Sequence, residues 1–466
     1  MTLSESQQVH QWAYGTFGEL ELGNRQRTRR VVAIAKALAA RAAGTVTEVF
    51  ADSGEREGAY RLLSNEAVSA EQLLKGVWEA TGRQCAEHSK VYVAVDASTL
   101  SLTDRTGGRG LGCVGAWKDY GRGLQVVTAL ALDAQGVALG ICAQRWWART
   151  ERSPHRHHDR RKLHEKETGF AVAAIQQAAA HLRQEAPDTY PIFVLDRGFD
   201  SRSVLQAVRT EQVGLIVRAK YDRRLSSNRD APARHLLDAL QSQPVRGHYS
   251  VQVPARDGRP ARVARMRVQA TRVTLALPVS RRRHDPLEIN AVLAREVGGP
   301  AGAGLCWMLF TTERIDGLAQ VCAVVKAYSL RWRIEEMHRA WKRGGCNVED
   351  TQLRSREAIL KWATLHCAVA ARSVRLAQLA RIHPELPAVE EFSPTEIDAA
   401  IVLRRKRTKL KLGDRPSLAE VVRLIADIGG YTGKSSGGPP GPTVIARGLE
   451  RVAMATEVLA AFDYKK

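Results

Sequence analysis

A chain of 466 residues with 44% hydrophobic side chains is long enough to build two or three globular domains, each around its own core. Lys and Arg total 70 against 49 Asp and Glu, and the net charge of +21 favours a polyanionic partner, with nucleic acid first and a ribosomal or membrane-surface role as the alternatives. No stretch approaches the roughly 18 uncharged apolar residues of a membrane-spanning helix, which excludes an integral membrane protein.

Compartment and small-molecule binding follow from three further features. The N-terminus, MTLSESQQVHQWAYG, lacks the basic start and apolar run of a signal peptide, so we expect a cytoplasmic protein with no membrane partner. The seven cysteines are scattered without a CxxC pair, which predicts free thiols rather than a zinc or redox centre. The glycine run GGRGLG at 107–112 matches neither GxGxxG nor a GK[ST] ending, so no nucleotide cofactor is expected.

Residues 1–70 have helical patterning. An arginine-rich segment at 25–30, RQRTRR, is followed at once by the helix-forming run VVAIAKALAARAA. These features predict a small helical DNA-binding domain.

Residues 71–375 are predicted to form an α/β domain. Short apolar runs bounded by Gly and Asp indicate buried strands, namely VYVAVD, LQVVTALALD, VALGICAQRWW, YPIFVLD and VGLIVRAK. Helical patterns, TGFAVAAIQQAAAHLRQ and SRSVLQAVRTEQ, lie between and after the later runs, an alternation typical of α/β folds. Residues 238–312 add strand-like runs with no helix between them, which indicates a β insertion.

Residues 376–466 are predicted to form a helical C-terminal domain. It contains the charge run RRKRTKLK at 404–411 and a break, SSGGPPGP, at 435–442. Leu449, Val452 and Leu459 of its last helix are expected to be available for a partner subunit, and the alternative is that these helices pack on their own catalytic domain.

Two carboxylates occupy corresponding positions in two predicted strands. The apolar run VYVAV stops at Asp96 and the run YPIFVL stops at Asp196, so each strand is expected to deliver one carboxylate to its C-terminal end. Ligand sites of open α/β sheets lie near such ends. The alternative is that each Asp only caps the following turn.

A third carboxylate lies in the predicted helix LAQVCAVVKAYSLRWRIEEMHRAWKRGG. At about 100° per residue, Tyr328, Arg331, Glu335 and Lys342 fall within an arc of roughly 60°. The opposite side is an apolar stripe formed by Ala323, Ala327, Leu330, Ile334, Met337 and Trp341. Glu335 could then bind metal and Arg331 and Lys342 phosphate; the alternative is a solvated face with intrahelical ion pairs.

With these residues identified, the chain closely resembles the DDE transposases of bacterial cut-and-paste elements, in the group with the signature Y-x2-R-x3-E-x6-K. Tyr328, Arg331, Glu335 and Lys342 match the signature. The resemblance extends over nearly the whole chain, through LGNRQRTRRV, EGAYRLLSNEAVSAE, DAST, VLDRGFD, IVRAK and YSLRWRIEEMHRAWK.

The resemblance implies a ribonuclease-H-like catalytic core with a β insertion before the glutamate helix, flanked by an N-terminal helical DNA-binding domain and a C-terminal helical domain. Asp96, Asp196 and Glu335 are then the catalytic and metal-binding triad. Three carboxylates suit hard cations, so we expect two Mg²⁺ ions per active site, with Mn²⁺ able to substitute.

The resemblance also implies DNA contacts. Tyr328, Arg331 and Lys342 of the signature would hold the DNA, and Trp307 would stack on a base flipped out of a hairpinned end; the alternative for Trp307 is a core tryptophan. The remaining matches are Arg218 and Lys220 at a strand end, whose alternative is an ordinary edge charge, and the end-recognition positions Arg27, Arg30 and Arg61.

In that family, water attack frees a 3′-OH, the hydroxyl forms a hairpin, and the reopened end is joined to target DNA. The first implied partner is double-stranded bacterial DNA, both as transposon ends and as target. The second is another copy of the chain, which would join it in a synaptic complex. Two alternatives remain. A transposase-derived repressor would have lost a catalytic carboxylate, and a ribonuclease-H-like nuclease without strand transfer leaves the end-binding and C-terminal domains unexplained.

Overall fold

The fold was analysed in a computed structural model that describes residues 7–104, 107–115, 121–149, 162–226, 235–253, 261–279, 283–299, 304–433 and 438–463. Helices lead into the sheet, as predicted. They are α1 (Gln7–Phe17), α2 (Arg25–Ala40), α3 (Val46–Val49), α4 (Ser53–Ser64) and α5 (Ala70–Cys85). Side chains cap several of them, because Asn24 accepts from the backbone of α2 and Ser69 and Gln72 form a capping box on α5.

One mixed sheet organises the centre of the molecule. Its first six strands are β1 (Lys90–Leu102), β2 (Gly112–Val114), β3 (Gly121–Leu132), β4 (Ala138–Trp147), β5 (Tyr190–Leu195) and β6 (Gly214–Arg218). Strands β3 and β4 pair antiparallel beside β1, whereas β1, β5 and β6 run parallel to one another. The connections to and from β5 contain α6 (Glu167–Glu185) and α7 (Arg202–Glu211). This is the predicted ribonuclease-H-like core.

The later strands extend the same sheet instead of forming a separate layer. They are β7 (Gly247–Val253), β8 (Arg262–Pro278), β9 (His284–Glu296) and β10 (Cys306–Thr311), preceded by the short helix α8 (Leu236–Gln241). The strand order is β2-β3-β1-β5-β6-β10-β9-β8-β7, with β4 also on β3. The strand-like runs found in the sequence did not include β9, because its first half, HDPLEIN, is largely polar.

Alternation of side chains gives the sheet two buried faces. Val91, Val93 and Val95 of β1 pack against α6 and α7, whereas Ala94 and Leu100 pack on the opposite side. That opposite side is covered by the helices that follow the sheet, α9 (Leu318–Leu330), α10 (Trp332–Lys342) and α11 (Arg356–Ile382). Helices α12 (Pro394–Leu403), α13 (Leu418–Ile428) and α14 (Pro442–Asp463) complete the chain.

The expectation for the last helix was wrong in its details. Leu449 and Val452 are buried in the core that α14 forms with α12 and α13, and Leu459 packs against that core. Among the side chains of α14 that the structure describes, the large apolar ones that point outward are Met454 and Val458, 56% and 55% exposed. The sequence pattern shows an apolar face, but not which side of the helix the rest of its own chain covers.

Helix α11 is shared by all parts of the chain. Its 27 residues span about 40 Å at 1.5 Å per residue, and buried side chains surround most of its circumference. Its first half packs in one core with α2, α4 and α5, and its second half packs with α12 and α13. The expected boundary between residues 375 and 376 falls inside this continuous helix.

Polar contacts fix the N-terminal helices to α11. The Lys361 ammonium, although buried, donates to the carbonyl oxygens of Leu63 at 3.0 Å and Asn65 at 2.7 Å, where α4 ends. Carbonyls at a helix C-terminus lack intrahelical partners and attract a cation. The indole of Trp362 donates to the carbonyl of Gly44 at 2.8 Å. The N-terminal helices are therefore bonded to α11 as well as packed against it.

Replacing Lys361 with Met should lower the free energy of unfolding by about 1–3 kcal/mol, since buried carbonyls lose their donor. Urea titration followed by circular dichroism measures the change. The matched control is Lys75→Met, which removes an exposed lysine paired only with Glu79 on its own helix and should change stability by less than about 0.5 kcal/mol. Equal stabilities of the Lys361 variant and the wild type would contradict a role for the Lys361 bonds.

Candidate active site

The pairing register of three parallel strands brings two carboxylates and a guanidinium into one row. The β1–β5 ladder ends with Val95 opposite Leu195, and the β5–β6 ladder ends with Leu195 opposite Val217. The next residues of the three strands are Asp96, Asp196 and Arg218. Neighbouring strands are about 4.8 Å apart, so these residues lie side by side.

The prediction that Asp96 ends its strand was wrong. β1 continues to Leu102, because the segment after Asp96 remains paired antiparallel with β3, and Asp96 itself lies opposite Thr128. Only the parallel ladder with β5 stops at this point. The segment ASTLSL contains several polar residues, so the end of the apolar run was mistaken for the end of the strand.

Both carboxylates face the helices that carry the signature. Asp96 shares its side of the sheet with Ala94, and its Oδ2 atom lies 3.7 Å from Nδ1 of His338 on α10. Asp196 follows Ile192 and Val194, which pack against α9 and Tyr328. The alternative role proposed for Asp196 is also present, because its Oδ1 accepts from Gly198 N at 2.7 Å and caps a short turn.

The signature helix is divided at Arg331. Its amide donates to the carbonyl of Tyr328, three residues back, and Ile334 likewise donates to Arg331, a 3₁₀ pattern that tightens the turn. The predicted apolar stripe is buried from Ala327 to Trp341, but Ala323 is exposed. The 60° arc assumed one continuous helix; across the turn, Arg331 and Glu335 still contact each other as i and i+4 neighbours do.

Two signature residues beside this break are buried. Tyr328 is 4% and Arg331 9% exposed, so neither lies on a solvated face. Arg331 donates through Nη2 to Oε1 of Glu335 at 2.6 Å. Lys342 is the last residue of α10, and its Nζ atom lies 3.4 Å from Oε1 of Glu349. The four signature residues are therefore a buried aromatic ring, two cations and a carboxylate, Glu335, that is already paired with Arg331.

The carboxylates influence one another electrostatically. Burial is the main cause that raises the pKa of Asp96 to about 7; Arg331 opposes this shift, and Asp196 and Glu335 add to it. Burial lowers the pKa of His338 to about 3, with Lys342 contributing, so the imidazole facing Asp96 is neutral. The carboxylates therefore lie in a poorly solvated place, and the neighbouring His338 does not offset their negative charge with a positive one.

Two residues near this cluster were missed in the sequence analysis. His338 lies directly against Asp96, and nothing in the linear pattern distinguished it from a core residue. Glu349, whose side chain is 8% exposed, accepts from the backbone amide of Ser101 at 2.8 Å and lies within 4 Å of both Lys342 and Arg343. Glu349 thereby joins the strand of Asp96 to the helix of Glu335.

Trp307 lies in β10 and is 3% exposed. Its ring meets those of Tyr328 and Trp332 edge to face, with centroid distances of 4.9 and 6.1 Å. The aromatic cluster borders the signature helix, but stacking of a base on Trp307 requires that the indole be uncovered.

The other expected DNA contacts lie on two surfaces. Arg218 donates to the carbonyl of Cys306, and Lys220 is exposed beside Tyr221, at the edge where Asp196 is found. The N-terminal group comprises Arg27, which donates to the carbonyl of Leu22, Arg30, whose guanidinium lies over Gly58 of α4, and Arg61, whose side chain is 78% exposed beside Glu57.

Comparison with protein families agrees with this geometry. Residues 9–68 match the family described as Transposase DNA-binding, residues 169–371 match Transposase DDE domain, and residues 368–464 match Transposase Tn5 dimerisation domain. The chain is a Tn5-like DDE transposase.

Family membership settles the broad properties of this transposase. Its DDE domain makes it a nuclease or transposase enzyme of a family that uses divalent metal, its N-terminal domain makes DNA a partner, and its C-terminal domain supports a homodimer. Across the described residues, no helix combines the length and apolar character needed to cross a bilayer. Within the same residues, no three His, Cys, Asp or Glu side chains are grouped so as to hold a metal ion.

Loss of the Glu349 carboxylate should impair cleavage more than folding. In Glu349→Ala, Ser101 loses its acceptor and Lys342 its counter-charge, and we expect cleavage of end DNA to fall about 10- to 100-fold, the equivalent of about 1–3 kcal/mol. Glu349→Gln keeps an acceptor oxygen for Ser101 and should retain more activity. The measurement is single-turnover cleavage, with Glu450→Gln, an exposed partner of Arg41, as control. Unchanged cleavage by the Ala variant would show that Glu349 does not position the site.

Proposed function

We propose that this transposase binds the two ends of a mobile element, cleaves them by metal-dependent phosphoryl transfer and joins them to target DNA, with Asp96, Asp196 and Glu335 as the catalytic carboxylates. The observation that carries the proposal is the strand register, which sets Asp96 beside Asp196 on the sheet face covered by the helix of Glu335.

The three carboxylates fit a divalent cation by their chemistry. They supply hard oxygen ligands, and burial, with Asp196 and Glu335 adding to it, raises the pKa of Asp96 to about 7, so a bound cation would stabilise its ionised form. Glu335 would have to exchange its bond to Arg331 for the metal, which frees the guanidinium for a DNA phosphate. When bound, two Mg²⁺ ions, or Mn²⁺ in their place, would activate the attacking oxygen and stabilise the leaving one.

The other residues of the row and the signature would hold the substrate. Arg218 and Lys220 lie at the strand ends beside Asp196, and Lys342 lies along α10 from Glu335. Cations at these places can bind successive phosphates of one strand and keep the scissile bond against the carboxylates. We propose that the same site performs nicking to a 3′-OH, hairpin formation, hairpin opening and joining.

Recognition and pairing of ends would use the terminal parts of the chain. We propose that Arg27, Arg30 and Arg61 of residues 1–70 contact the end sequence, that residues 71–375 form the catalytic domain with its β insertion at 238–312, and that residues 376–466 pair two protomers in a synaptic complex. The exposed Met454 and Val458 on α14, within the dimerisation match, support the last part.

Substitution of any one of the three carboxylates should abolish chemistry and spare binding. Asp96→Ala, Asp196→Ala and Glu335→Ala are each expected to reduce strand cleavage by at least ~10³-fold, while gel-shift affinity for end DNA changes little. Glu336→Gln is the matched control on α10, because Glu336 is paired with Arg333 and Gln378 instead. A purified variant that still cleaves would remove its residue from the catalytic set.

Trp307 provides a test of base flipping. If a base stacks on it, Trp307→Ala should slow hairpin formation or opening about 10- to 100-fold and leave the first nick within about 3-fold, since stacking is worth about 1–3 kcal/mol. Trp307→Phe retains a ring and should recover most of the hairpin rate. If nicking and hairpin steps fall by the same factor, Trp307 serves only the packing seen around Tyr328.

A further inference from the structure

The C-terminal part of the chain contains a cationic loop, residues 404–411, between α12 and α13. Five of its side chains are exposed cations within seven positions, namely Arg405, Lys406, Arg407, Lys409 and Lys411. Like charges this close repel one another and oppose folding unless an anion offsets them. Neither the catalytic cluster nor the core of the C-terminal helices uses these side chains.

The backbone of the cationic loop is held in place. The guanidinium of Arg404 is turned inward and donates to the carbonyl of Asp427, and Leu410 packs against the core of α12, α13 and α14. The amide of Lys411 donates to Oδ2 of Asp414 at 2.8 Å. The loop is therefore anchored at both ends, and its cationic side chains project from a fixed base.

The acidic groups around the cationic loop are engaged elsewhere. Asp398 accepts from the amide of Gly413 at 3.0 Å, Asp414 accepts from a loop amide, and Asp427 pairs with Arg423. Among the described residues, none of the five exposed loop cations forms an ion pair within 4 Å. Five positive charges are thus presented to solvent without a counter-charge from the protein.

We infer that the cationic loop binds the phosphate backbone of duplex DNA, as a surface separate from both the active site and the end-recognition helices. The inference rests on the proposed function, which brings DNA to this chain. The partner is duplex DNA because its closely spaced phosphates match a run of closely spaced cations. Contact is independent of base sequence, since no side chain in the described part of the chain holds these long side chains in a base-reading geometry.

The experiment compares three versions of the full-length protein on duplex DNA without an end sequence. One variant replaces all five cations with Gln, and a matched variant exchanges every Arg and Lys (R405K, K406R, R407K, K409R, K411R), which keeps the charge and changes every side chain. Binding is measured by fluorescence anisotropy between about 50 and 200 mM salt, and cleavage of end DNA is measured in parallel. Thermal melting verifies folding, and the smaller variant R405Q/K406Q/R407Q serves if the fivefold variant is unstable.

The Gln variant should bind duplex DNA at least about 10-fold more weakly at about 100 mM salt, with a slope of log K against log salt that is shallower by up to about 4.5, about 0.9 for each lost phosphate contact. The charge-exchanged variant should match the wild type. If the Gln variant keeps the wild-type slope, or both variants lose binding equally, the inference about the loop is overturned while cleavage by the wild type still supports the proposed function. If the wild type neither binds duplex DNA nor cleaves ends, both fall.

Discussion

The parallel pairing of β1 with β5 is the constraint on which the active site depends. Register in a sheet is discrete, because a shift of one residue moves every side chain of the strand to the other face. The pairing of Val95 with Leu195 therefore fixes, in one step, that two aspartates a hundred positions apart are neighbours on the same face. Packing of the β1 valines and of Phe193 and Leu195 from β5 against α6 and α7 stabilises this register through the opposite side of the sheet.

Around these aspartates, ion pairs balance the buried charge. The side chains that form these pairs both stabilise the core and belong to the site. Arg331 lies near Asp96 and is bonded to Glu335, so it offsets negative charge that burial would otherwise make costly. At the far end of α10, Glu349 offsets the positive charges of Lys342 and Arg343. A site built in this way is stable as a protein core, and the proposed function requires it to exchange internal ion pairs for contacts to metal and phosphate.

Much of this arrangement could be predicted from the sequence, and the exceptions have physical causes. Apolar runs identified β1, β3, β4, β5 and β6, since strands buried on both faces need continuous hydrophobicity. The same criterion ended β1 too early at Asp96 and overlooked β9, whose polar residues lie where a face is exposed. A periodicity of about 100° per residue placed Glu335 on α10 but could not show the 3₁₀ turn at Arg331 or the burial of Tyr328 and Arg331 against the rest of the chain. His338 and Glu349 depend on long-range contacts, which no local pattern encodes.

The shared helix α11 limits how proteins of this family can acquire a new DNA sequence specificity. A recognition module joined by a linker can be exchanged between relatives as a block, because nothing else in the protein depends on its surface. Here Lys361 and Trp362 bond to the carbonyls of Leu63, Asn65 and Gly44, so a foreign set of N-terminal helices would arrive without the matching partner surface. Under the proposed function, a change of end sequence would arise at the outward positions of α2 and α4, such as Arg61, which can change one at a time while the inner face of each helix stays as it is.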